Sequence, residues 1–128
     1  MPRDFEEWLK QADYDLDTAD FMFKGKRYIY AVFMCHLSIE KALKGLYHER
    51  LNKIPPKTHN LIYLAKKANI EVPEDIGRFI VKLNQASILT RYPEDLTFLQ
   101  SEYTQSIVKE ILSKTKEVLT WIKTLLQK

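Results

Sequence analysis

Apolar residues recur at intervals of three and four along most of this chain, and proline-bearing polar segments interrupt them. In the first stretch Phe5, Trp8, Leu9, Ala12, Leu16, Ala19, Met22 and Phe23 keep that step, which predicts an amphipathic helix. It should stop at "KGKR", with Gly25 as C-terminal cap between lysines. The second stretch covers residues 28–51. Its first half, "YIYAVFMCHL", is apolar nearly all round, the pattern of a helix in the middle of a bundle. Pro55 and Pro56 cannot continue it. Thr58 is then the expected cap of a shorter helix through "HNLIYLAKKAN". A fourth helix begins at "VPED", where Pro73 suits the first turn and Glu74 and Asp75 suit the positive end of the dipole. Tyr92-Pro93 breaks it. Ser101, with Thr104 or Gln105, is expected to open a last helix of about 25 residues. Its stripe is Ile107, Ile111, Leu112, Val118, Leu119, Ile122, Leu125 and Leu126. No period-2 alternation and no Asn-Gly or Asp-Gly hairpin competes. The pattern therefore predicts an all-α, up-and-down bundle of four or five helices, three of them long.

The totals change this picture little. A chain of 128 residues fits a single domain over 1–128, large enough for a real core. The net charge of +3 is mild and permits nucleotide or RNA binding without demanding it. Cys35 is the one cysteine, so an intramolecular disulfide is impossible and a reducing, cytoplasmic setting is expected. Within "YIYAVFMC" it should behave as a small buried hydrophobe. "MPRDFEEWLK" carries no signal-peptide pattern, and no apolar run approaches the roughly 20 residues of a membrane span.

Candidate chemistry centres on the second helix. His36, Glu40, Lys44 and His48 stand four residues apart and share one side. They are either the wet edge of the helix or a functional face. His36, Glu40 and His59 could in principle ligate a metal, but HExxH, Glu-x-x-His and cysteine-pair motifs are missing, so none is expected. His59 should sit at the start of the third helix in a structural role. Nucleophile elbows and glycine-rich phosphate loops are also missing, so no catalytic motif is recognisable. Phe21, Phe23, Tyr28, Tyr30 and Phe33 could stack on bases or form a subunit interface, but at helical spacing aromatics are more often core.

Four segments together resemble the HEPN domain family, in the small stand-alone form often paired with a minimal nucleotidyltransferase. They are the first two helices (residues 8–47), "IEKALKGLY" within them, "THNLIYLAKKA" and "TRYPED". The resemblance implies a helical bundle that forms homodimers and associates with nucleotide or RNA. It further implies a nucleotidyltransferase-fold partner in a toxin–antitoxin-like pair. Many relatives are metal-independent ribonucleases whose motif is Arg, four to six residues of which the first is polar, then His. Here Arg91 is followed by "YPEDLTFLQSEY", without His, and the other arginines fare no better. The expected function is therefore a nucleotide- or RNA-associated binding module without a cofactor or metal. An atypical ribonuclease and a ligand-free structural dimer are the alternatives. Arg91 is expected to line a polar cleft near Glu40 and Lys44, or else to be a helix stop paired to a carboxylate. As a site, Arg91 and Lys44 would hold phosphate, Glu40 would orient one of them, and Tyr92 would stack on a base. His36, His48 or His59 would have to supply any missing proton acceptor.

Overall fold

The computed structural model describes residues 5–126, and all regular structure among them is helical. The order is α1 (Phe5–Lys24), α2 (Tyr28–Leu51), α3 (Leu61–Lys67), α4 (Glu74–Arg91), α5 (Leu96–Glu102) and α6 (Gln105–Leu126). Residues 1–4, part of the stretch read for a signal pattern, lie outside the described residues. None of the described helices is long and apolar enough to cross a membrane.

The helix that is apolar all round is the axis of the bundle: α2 packs against each of the other five. Its buried side includes Val32, Cys35, Ile39, Leu43 and Leu46, facing Leu83 of α4 and Val108, Val118 and Ile122 of α6. Burial pushes the Cys35 thiol up to about 11, against a weaker opposing hydrogen bond with Thr115. Gly45 lets α1 approach closely, since a Cβ there would stand 3.0 Å from Trp8 Cβ and 3.4 Å from the Phe5 carbonyl.

Three boundaries differ from expectation. The left-handed residue after α1 is Lys26, with φ 63, and not Gly25. Arg27 N–H reaches the Met22 carbonyl at 2.8 Å and Lys26 N–H reaches Phe23 at 3.0 Å, a Schellman closure with Lys26 at its C′ position. Asn60, rather than Thr58, caps α3: its Oδ1 accepts from Ile62 and Tyr63 N–H. Thr58 Oγ1 instead accepts from Asn60 N–H, one step upstream. Ser101 belongs to the end of α5, a short helix capped by Asp95, and Thr104 stands at the entrance of α6. Among the described residues the long helices number four rather than three.

Candidate functional site

The cleft is built where the α2–α3 connection crosses the C-terminal half of α4. α2 ends at Leu51 with Asn52 as its left-handed cap, φ 51, and the chain turns back through Pro55 and Pro56 so that His59 lies over Glu40. The stripe on α2 is not a wet edge. His36 is 0% exposed, Glu40 4% and Lys44 9%. Glu40 is the hub: Oε2 accepts from Lys44 Nζ at 2.9 Å and Oε1 from His59 Nδ1 at 2.9 Å. A carboxylate only accepts, so the His59 proton sits on Nδ1, and Nε2 is left as the ring's remaining nitrogen. The His59 side chain is 59% exposed, so that nitrogen can meet a ligand.

Behind it, Asn84 of α4 ties the loop to the bundle. Its Oδ1 accepts from Leu61 N–H at 3.0 Å and lies 3.4 Å from His36 Nε2. Its amide donates to Asn60 Oδ1 at 3.3 Å, so one side chain supports the cap that starts α3. His36 is a buried, neutral support. Burial holds its pKa below the usual histidine range; Glu40, Asn84 and the His59 backbone pull the other way, and the Arg91 charge adds to burial.

Arg91 closes the last turn of α4. Its guanidinium lies over the Phe33 ring, 4.9 Å from the centroid. Nη2 is buried with no hydrogen-bond partner, and among the described residues Arg91 forms no ion pair. The carboxylate-paired helix stop is therefore not what forms. Arg91, His59, Asn84, Ser87 and the exposed Tyr92 line one cleft of about 220 Å³.

Of the residues singled out in the sequence, Arg91, Tyr92 and His59 meet in this cleft, and Glu40 and His36 stand behind it. Lys44 does not line it: its ammonium is turned to Glu40 and stands 6.0 Å from the Trp8 ring. Glu40 orients His59 and Lys44 rather than Arg91. His48 is half-buried and outside the cleft. No group of three or more potential metal ligands converges among the described residues. Asn60, Asn84 and Ser87 were not anticipated. No signal in the sequence set Asn84 apart, since it stands beside Gln85 and between Lys82 and Ser87.

A family model described as "HEPN domain" matches residues 5–125. The chain belongs to the HEPN family. No curated protein matches this HEPN domain, but solved structures do. It is 26% identical to an archaeal HEPN homologue, with a TM-score of 0.78 over 97% of this chain and 98% of that one. A Thermus thermophilus protein is 24% identical, with a TM-score of 0.79 over 94% and 96% of the two chains, and shares the fold. This HEPN domain has no histidine downstream of Arg91 at ribonuclease-motif spacing; His59 instead reaches Arg91's cleft from the α2–α3 connection.

Proposed function

We propose that the chain binds a phosphate group of a nucleotide or RNA in the cleft between Arg91 and His59. The observation that carries this is Arg91, a residue lining the cleft whose Nη2 is a buried charged donor without a hydrogen-bond partner among the described residues. A buried donor left unmade is costly, and a phosphate oxygen satisfies it while matching the guanidinium's planar fork. Lys44 matches the Glu40 charge, so the arginine is the uncompensated charge of the site. Fluorescence anisotropy with labelled AMP and a labelled RNA octamer tests the proposal. Loss of one charged hydrogen bond, about 1.5–3 kcal/mol, predicts at least tenfold weaker binding in Arg91→Ala. Equal affinity in wild type and variant would overturn it.

The Glu40–His59 contact of 2.9 Å favours a second reading, metal-independent RNA cleavage. His59 Nε2 would take the 2′-OH proton, the 2′-oxygen would bond to phosphorus, and the bond to the 5′-oxygen would break. The proton would pass to that leaving oxygen, while Arg91 stabilises the phosphorane charge. RNA incubated in EDTA should then yield 2′,3′-cyclic phosphate ends with wild type and none with His59→Ala. Homodimerisation and a nucleotidyltransferase-fold partner in a toxin–antitoxin-like pair belong to the same proposal, supported by family membership. Light scattering and co-expression test them.

A further inference from the structure

A cleft of about 220 Å³ lies below the roughly 300–1,000 Å³ of sites that enclose a whole small ligand. The Arg91 cleft has room for a phosphate and its immediate surroundings, and the remainder of the ligand must lie elsewhere. A second cleft of about 520 Å³ opens between the α1–α2 turn and α5. Its walls are Lys26, Arg27, Tyr28, Tyr30, Gln100 and Tyr103, joined by apolar and hydroxyl side chains and by no carboxylate. Among the described residues neither Lys26 nor Arg27 forms an ion pair. Tyr28 is held in place against Phe23, with centroids 5.6 Å apart, and Tyr30 is 59% exposed. Unpaired cations beside an exposed aromatic ring, here Tyr30, are the chemistry that holds phosphates and stacks bases without reading their identity.

The two clefts adjoin. Phe33, beneath Arg91, is three residues from Tyr30 on α2, so their backbone positions lie about 4.5 Å apart along the axis and on neighbouring faces. Tyr92 lines the first cleft and Leu96 the second, and four residues of chain span at most about 14 Å. We infer that the Lys26–Arg27–Tyr30–Tyr103 cleft is a second subsite that binds the neighbouring nucleotides of a single-stranded polynucleotide whose phosphate sits at Arg91. The inference rests on the phosphate-binding proposal for Arg91 and makes the ligand a strand rather than a free mononucleotide.

The test is anisotropy with three labelled probes, an RNA octamer, the matching DNA octamer and AMP, against wild type, Arg27→Ala, Tyr30→Ala and Arg91→Ala. Arg27 and Tyr30 are exposed, so both variants should fold. The expected result is an octamer bound at least tenfold more tightly than AMP. Arg27→Ala and Tyr30→Ala should each weaken the octamer about fivefold or more and leave AMP within twofold. Arg27→Ala should also lower the slope of log affinity against log salt by about 0.7, the value for one lost phosphate contact on a single strand. Binding of either octamer in this pattern supports the subsite, and a preference for RNA assigns the sugar. Octamer affinity unchanged in both Arg27→Ala and Tyr30→Ala overturns it. Should Arg91→Ala weaken both AMP and the octamer while Arg27→Ala and Tyr30→Ala leave the octamer unchanged, the phosphate site stands and the second subsite falls. Should Arg91→Ala change nothing while Arg27→Ala and Tyr30→Ala weaken the octamer, the subsite stands and the Arg91 reading falls.

Discussion

Replacing Glu40 by glutamine keeps the shape of the side chain and removes its charge. The consequence falls first on Lys44, whose side chain is 11% exposed and whose ammonium donates to Glu40 at 2.9 Å. Breaking a buried pair from one side costs about 3–5 kcal/mol, because a charge stays behind without its counterion. Two features soften the loss: the amide oxygen still accepts from Lys44, and the Trp8 ring lies 6.0 Å away. We expect about 3 kcal/mol, a large part of the 5–15 kcal/mol typical of a domain. At this chain length that corresponds to a fall in Tm of roughly 10 °C. Urea denaturation followed through Trp8 and Trp121 fluorescence gives the energy. The same titration on Lys44→Met and on Glu40→Gln/Lys44→Met closes a double-mutant cycle. Removing both charges leaves neither buried alone, so the double variant should be more stable than the sum of the single losses by about 2 kcal/mol. Losses that add to within 0.5 kcal/mol, the usual limit for independent sites, would refute the claim that Glu40 and Lys44 are one electrostatic unit.

Three further expectations concern stability. Gly45→Ala gains about 1 kcal/mol of helix propensity but pushes Trp8 and the Phe5 carbonyl away, so urea denaturation should show a net loss of about 1–2 kcal/mol. Lys26→Gly relieves a left-handed residue and should raise stability by about 1 kcal/mol in the same assay. His36 has its folded pKa below the unfolded value, so the folded state binds fewer protons between the two. Its contribution is complete above about pH 6.5 and is lost as pH falls toward the folded pKa. Denaturation at a series of pH values should show that decline in wild type and a flatter profile in His36→Gln.

Local periodicity was enough to locate α1, α2, α4 and α6, because each buries a continuous stripe against the core. It was weak where burial is slight. In α5 only Leu99 is buried, while Leu96 and Phe98 point to solvent, so no stripe announces the helix. The spacing of His36, Glu40 and Lys44 showed that they share one side of α2. Whether that side is wet or dry depends on a connection nineteen residues away that lays His59 on Glu40. Asn84 meets His36 across forty-eight residues, a contact no local pattern encodes. Thr58 and Asn60 are both good caps by residue type. The choice between them falls to Asn60, which Asn84 also holds from the neighbouring helix.

The depth of Cys35 gives this bundle an internal clock. A thiol pushed up to about 11 is almost wholly protonated at neutral pH, and the thiolate is the form that alkylating reagents attack. Burial at the α2–α6 seam denies those reagents access as well. Labelling can proceed only when the helices separate far enough to wet the core, and this chain has no second thiol to confuse the signal. The rate of Cys35 modification by a small alkylating agent therefore counts the openings of the core itself. A ligand that tightens the native state should slow that rate in proportion to its occupancy.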